Sequence, residues 1–243
     1  MLRRFILVFM LTLVMLLQTS PVPLQALALE PDGLARVPFP TGTVPINSPS
    51  KADFNSSGSP ESLDLSNGHL TIFSGNKSVW RSPISWTVVQ AEITDLNRDG
   101  TPEAALLVWR PFQAWPVDQW LPHGGRIADF HDDKGYSCHI ILIGWRGSQY
   151  GELWAGSALA EPVKSFAAAD LNGDHFQELV TLEGTYKSPA SLPGIPAGSV
   201  PAHAIKVWEW NGFGFTVVSS MEGTYSKLAL AQASSGRILI LVP

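Results

Sequence analysis

Cys138 is the only cysteine among 243 residues. An internal disulfide is therefore excluded, and so is a lipid-modified cysteine at a leader cleavage point. Charge is scarce as well, with 15% charged residues and a formal net charge of −5. A chain with no basic excess makes a poor partner for nucleic acid, whose phosphate backbone demands a cationic face. The sequence offers no G-x-S-x-G elbow and no glycine-rich phosphate loop opening a helix. Sustained helical periodicity is missing after the first thirty residues.

Phe5 to Leu17 form an apolar run of thirteen residues, broken only by Thr12 and preceded by Arg3 and Arg4. That run is too short for a bilayer core, which takes about twenty residues, and Ala26-Leu27-Ala28 supplies small residues downstream. Residues 1–28 therefore read as a secretory signal peptide cut after Ala28, with no stable membrane insertion afterwards. Losing Arg3 and Arg4 with it takes the formal charge from −5 to −7. The expected address is extracytoplasmic, periplasmic or secreted. Residues 29–52 carry five prolines without apolar periodicity and read as an extended arm or linker.

From residue 53 onward one pattern dominates. Ile93 to Glu103 reads ITDLNRDGTPE and places Asp95, Asn97, Asp99 and Glu103 at even spacings around a turn at Gly100. Carboxylates so close together repel one another unless a positive charge sits among them, and Ca²⁺ takes six to eight oxygens in loops of this kind. The twelfth position counted from Asp95 is Leu106, where a helix-loop-helix calcium site needs Glu, so that motif is excluded. The spacing returns as Asp170, Asn172, Asp174 and Glu178 in DLNGDHFQE. It returns again in DFNSSGSPE as Asp53, Asn55 and Glu61, with Ser57 replacing the third acid and weakening that site. An eroded fourth copy, Gln232 to Arg237, keeps Gly236 but no carboxylate and is assigned no metal.

Between these loops the residues alternate as strands do. Asn67-Gly68 links ESLDL to HLTIF, a strong hairpin signal, and Thr87 to Thr94 alternates Val89, Ala91 and Ile93 with Val88, Gln90 and Glu92. EAALLVW, SCHIILIGW, GELWAG and VKSFAAAD make a second pass, ELVTLEG, AIKVWEW, FTVVSS and SKLALAQ a third, and RILILV has no successor. Once the insertions at 111–136 and 185–203 are set aside, the loops recur every 40 to 50 residues or so, the period of a four-stranded propeller blade. The expected fold is all-β and β-propeller-like, with about three four-stranded antiparallel blades plus an extra strand over residues 53–243.

DLNRDGTPEAALLV and DLNGDHFQELVTL resemble the FG-GAP or VCBS-type repeats of integrin-alpha-like β-propellers. The resemblance implies Ca²⁺ in the loops, structural in role, and an acidic loop joining the last strand of one blade to the first of the next. It also implies side-chain ligands Asp95, Asn97, Asp99 and Glu103 with the Thr101 carbonyl. The second set is Asp170, Asn172, Asp174 and Glu178 with the Phe176 carbonyl, and the weak third set is Asp53, Asn55, Ser57 and Glu61. His175 departs from this pattern by standing where glycine is favoured, a position that often requires φ > 0. Fewer than four blades leave a ring open, so either the 29–52 arm and RILILV combine to close it, or the protein is an open arc that associates with itself or another chain.

Two functions follow as expectations. In the first, a secreted calcium-binding module uses the two insertions to bind a protein or polysaccharide. In the second, an extracytoplasmic hydrolase carries a His/Asp site in the 111–139 stretch, built from His123, His131, Asp132, Asp133 and His139. Trp80 and Trp154 recur at equivalent strand positions and read as packing residues. Trp115 and Trp120, among prolines of the first insertion where no blade core needs them, read either as an exposed aromatic platform or as anchors of their own loop. Asp118, Asp129, Asp132 and Glu152 are the carboxylates available for sugar hydrolysis, and Cys138 reads as a buried core residue.

Overall fold

The structure, a computed structural model, describes residues 23–113, 130–186 and 201–243. Its elements there are seventeen β-strands in four antiparallel sheets set radially like propeller blades. The first sheet contains β4 (Lys51–Ala52), β5 (Glu61–Ser66), β6 (His69–Ser74) and β7 (Lys77–Arg81), in that order. The second contains β8 (Thr87–Thr94), β9 (Glu103–Pro111), β10 (Tyr136–Arg146) and β11 (Gln149–Ala155). In the third lie β12 (Val163–Ala169), β13 (Glu178–Glu183), β14 (Ala202–Trp210) and β15 (Phe215–Tyr225).

The fourth sheet draws on both ends of the described chain. Its order is β2 (Gly33–Val37), β1 (Gln25–Glu30), β17 (Ile238–Val242), β16 (Ala229–Gln232) and β3 (Val44–Ile46). Leu27 pairs with Ile240, so RILILV finds its successor at the other end of the chain. The 29–52 segment is thus not a bare arm, because it supplies β2, β3, β4 and the end of β1. Four of its prolines fall between strands, and the fifth, Pro45, lies in β3 at the edge of its sheet, where proline is tolerated. Ala26, Leu27 and Ala28 are at most 2% exposed, and a cut after Ala28 would divide β1.

Every strand run expected after residue 53 is present, but the phase of the blades differs by one strand. Each acidic loop joins the first and second strands of the same sheet: 53–61 lies between β4 and β5, 95–103 between β8 and β9, and 170–178 between β12 and β13. The eroded copy occupies the matching place between β16 and β17.

Alternation along the second strand of a blade explains the stacking. Ala104, Leu106 and Val108 of β9 pack with Phe54, Leu70 and Ile72 toward the first sheet, whereas Ala105 and Leu107 pack with Phe166 and Leu179 toward the third. Period-two side chains buried on both faces are what a sheet wedged between two others requires. Leu27, Ile240 and Leu230 continue the core against Val180, Leu182 and Val207. Trp154, Trp210 and Phe215 meet edge to face, with centroids 5.1 to 5.7 Å apart, and join the second sheet to the third. Trp80 and Trp154 do pack, each against its neighbouring core cluster.

Two details depart from simple alternation. The β8–β9 register shifts between Val88 and Gln90, so Val88 is buried while Val89 is 50% exposed, leaving only Ala91 and Ile93 of the expected face inside. A bulge of this kind adds one residue and reverses the side-chain sense beyond it. Gln90 then reaches the third sheet, donating from Nε2 to the Phe166 carbonyl (2.6 Å) and accepting the Phe166 N–H (3.1 Å). Asn67 and Gly68 both have positive φ, 52° and 75°, as a two-residue hairpin turn requires.

Candidate metal-binding loops

The three acidic loops share one backbone. Their fourth residues, Ser56, Arg98 and Gly173, have φ of 56°, 61° and 82°, and their sixth, Gly58, Gly100 and His175, have φ of 80°, 80° and 72°. His175 therefore adopts the left-handed conformation that its position demands, against the cost a β-carbon carries there. Two such residues per loop fold it back so that the side chains at positions one, three and five point inward onto backbone N–H groups.

Those contacts are explicit. Gly100 N–H donates to Asp95, Asp99 N–H to Asn97, and Thr101 N–H to Asp99 at 2.8 Å. In the 170–178 loop Asp170 accepts from Gly173, Asp174 and His175, while Asp174 accepts from Phe176 at 2.8 Å. Asp53 accepts from Ser57 and Gly58 in the first loop. Among the described residues, no group of three or more His, Cys, Asp or Glu side chains is gathered as a metal cluster.

The ninth residue behaves differently from the others. Glu61, Glu103 and Glu178 are all fully buried at 0% exposure, and each accepts the N–H of the second loop residue: Phe54 at 3.0 Å, Leu96 at 2.7 Å and Leu171 at 2.8 Å. Those second residues plug the core. Phe54, Leu96 and Leu171 were not singled out from the sequence; the signal was their apolar character between two polar ligand positions.

The surroundings of the three glutamates then diverge. Glu103 takes Leu96 N–H and the Thr94 hydroxyl (2.7 Å) on Oε1, and its Oε2 is buried with no partner. Burial pushes the Glu103 carboxyl up to about 8, with Asp95 and Asp99 adding to the effect. Burial also raises Asp95, and Asp99 raises it further. Glu178 is pushed up to about 7 by burial, though Arg98 Nη2 lies 3.1 Å from its Oε1 and opposes the rise. Glu61 takes Asn55 Nδ2 at 3.0 Å, and Asn55 also donates to the Tyr150 hydroxyl (2.9 Å). The ionisation of Tyr150 is pushed up, first by burial and then by the nearby Glu61.

Glu103 offers what a hard cation needs, a desolvated carboxylate oxygen without a donor beside two further acids. The 95–103 residues fit a calcium ion on that ground. In the other two loops the ninth carboxylate is already served by protein donors.

At the opposite end of the same strands lie the stretches named for hydrolysis. His139 is buried; Nδ1–H donates to the Gly156 carbonyl (2.9 Å), and Nε2 accepts from the Ser137 hydroxyl (2.7 Å). Burial lowers its pKa to about 4, so it is a neutral core residue. His131 Nδ1–H donates to the Asp132 carbonyl (2.7 Å) and its ring leans on Phe112, while the Asp132 carboxylate takes the N–H groups of Lys134 and Tyr136. Among the described residues, His139 is spent inside the core, whereas His131, Asp132 and Asp133 line one pocket together with Glu161 and Tyr186. His123, Asp118, Asp129, Trp115 and Trp120 lie outside the described residues.

A cluster absent from the expectations stands nearby. Lys206 Nζ bridges Glu183 at 2.6 Å and Glu161 at 3.1 Å, and His203 adds a contact to Glu161. Burial raises Glu183. Burial works to raise Glu161 too, but contacts with Glu183 and Lys206 lower it overall. Its members lie up to 45 residues apart, so no local spacing announced it. Cys138 is buried and its thiol pushed up to about 12 by burial, as a core cysteine should be.

No protein-family description matches this chain, and no curated protein matches it. The site therefore rests on its own geometry.

Proposed function

We propose that this protein is a secreted, calcium-stabilised propeller-like module that binds a protein or polysaccharide partner at the end bearing its two insertions. The observation that carries the calcium part is Glu103 Oε2, an oxygen sunk without a donor between a loop of acids and the core. Asp95, Asn97, Asp99, the Thr101 carbonyl and Glu103 would hold the ion. Bound there, Ca²⁺ supplies positive charge and a fixed coordination geometry, a structural contribution.

The chain's own residues do the rest. Leu96 N–H and the Thr94 hydroxyl hold Glu103 in place, and Gly100 lets the loop turn without strain. Asp95 N–H donates to Gln177 Oε1 (2.8 Å), so order in one loop is passed to the next sheet. An all-β scaffold of rigid radial sheets suits presentation of binding loops at its ends. The first insertion leaves the second sheet after Pro111 and the other leaves the third after Glu183, both opposite the acidic loops. Their feet touch, since Tyr186 packs edge to face on Trp109 at 5.8 Å. The strand ends from which the two insertions leave stand on neighbouring sheets, which supports that end as the binding face.

Melting in excess Ca²⁺ and in chelator tests the calcium part. At a free concentration one hundred times Kd, a single site adds about 2.7 kcal/mol, or roughly 5–10 °C for a chain of this size. Asp95→Ala should abolish the difference; identical curves for the unaltered protein in both solutions would remove calcium from the reading. For the binding face, deleting the tip of either insertion should abolish retention on a polysaccharide or protein array while leaving the melting temperature in place.

A further inference from the structure

Arg98 belongs to one acidic loop but spends its charge on another. It is the fourth residue of 95–103, at φ 61°, and its guanidinium Nη2 donates to Glu178 Oε1 of the 170–178 loop at 3.1 Å. The Glu178 side chain is 0% exposed and that of Arg98 18%, so the pair is largely withdrawn from water. The guanidinium also covers the Phe176 ring, 5.0 Å from its centroid.

Glu178 consequently has a donor on each of its oxygens. Its Oε1 takes Arg98 and Asn172 Nδ2 (3.4 Å), and its Oε2 takes Leu171 N–H (2.8 Å). Glu103, at the same place in its own loop, takes two neutral donors on one oxygen and none on the other. Identical spacing thus gives two different electrostatic outcomes, because an arginine from the preceding loop reaches only one of them. A carboxylate paired in this way must lose a desolvated guanidinium before it can ligate a metal, and breaking a buried pair is costly.

We propose that Arg98 is the tethered cation of the 170–178 loop, taking Glu178 out of metal coordination, so that the chain holds one high-affinity calcium ion rather than two. The ion count rests on the calcium reading above, while the role of Arg98 does not. The arrangement also couples the two loops: the backbone that arranges Asp95, Asn97 and Asp99 around the first ion is the backbone that delivers Arg98 to the second loop. Calcium at 95–103 would then order the loop beside it without entering it.

Calorimetric titration of the purified protein with Ca²⁺ alone tests the count. The unaltered protein and Asp174→Asn should each bind one ion, and Asp99→Asn should lose it. Arg98→Gln should bind two, with the second lost in Arg98→Gln/Asp174→Asn, and Arg98→Lys should stay at one. Two ions in the unaltered protein, one of them lost in Asp174→Asn, would overturn the proposal, as would a count of one in Arg98→Gln. Melting in chelator tests the tether independently of any metal. Arg98→Gln should lower the melting temperature where Glu178 is present and leave it nearly unchanged in a Glu178→Gln background. An equal drop in both backgrounds would refute the pairing. Absence of calcium binding in every variant would defeat the calcium reading alone, leaving the melting cycle to decide the role of Arg98.

Discussion

Leu96 N–H and Glu103 Oε1 lie 2.7 Å apart, and this bond fastens the second residue of an acidic loop to its ninth. The same closure recurs between Leu171 and Glu178 and between Phe54 and Glu61. Each glutamate is therefore both a staple for its loop and a buried carboxyl that the loop must satisfy.

Replacing Glu103 separates those two roles. Glu103→Gln keeps an acceptor for Leu96 and removes the charge. The folded-state value, near 8, lies above that of an unfolded carboxyl, so the folded form binds more protons between about pH 4.5 and 8 and loses stability as pH rises through that window. In chelator at pH 9 the Gln variant should therefore be more stable than the parent, by on the order of 3 kcal/mol. In excess Ca²⁺ the order should reverse. Urea titrations at pH 5 and pH 9, with and without calcium, would check both signs.

His139 gives the opposite slope. Its folded value, about 4, lies below that of an unfolded imidazole, so the unfolded chain takes up the proton first and stability is lost as pH falls from about 6.5 toward 4. His139→Gln should remove up to about 3 kcal/mol of that acid sensitivity. Comparing denaturation midpoints of the two proteins between pH 4 and 7.5 measures it; parallel curves would contradict the burial described here.

His175 sits at φ 72° where its counterparts are glycines. His175→Gly should stabilise the protein by about 1 kcal/mol, while Gly100→Ala should cost a similar amount. Both are read as shifts in thermal midpoint, in chelator so that metal affinity does not intrude.

β1 sets a limit on processing. If a leader is removed, the cut should fall before Gln25, because Leu27 is fully buried and paired with Ile240. Amino-terminal sequencing of exported protein checks this directly. A chain begun at Leu29 should lose its cooperative transition, and Leu27→Ala in the longer chain should cost about 3 kcal/mol.

Much of the fold could be read from order and spacing. The Asn67-Gly68 hairpin, the strand runs, the limits of both insertions and the left-handed place of His175 all follow from local rules. What eluded local reasoning was non-local. The period counts strands but not which neighbours share hydrogen bonds, so the acidic loops were assigned between blades when they lie within them. QALALE looks like the tail of a leader until Ile240 is beside it. In the acidic loops the repeated spacing was legible, whereas Arg98 and Tyr150, which approach carboxylates 80 and 89 residues away, were not.

Leu27 must wait for Ile240, some 210 residues later, before the fourth sheet exists. At translation rates of about 5–20 residues per second, that interval is on the order of 10–40 s. Throughout it β1 lacks β17, so the fourth sheet, unlike the other three, can form only when nearly the whole chain has been made.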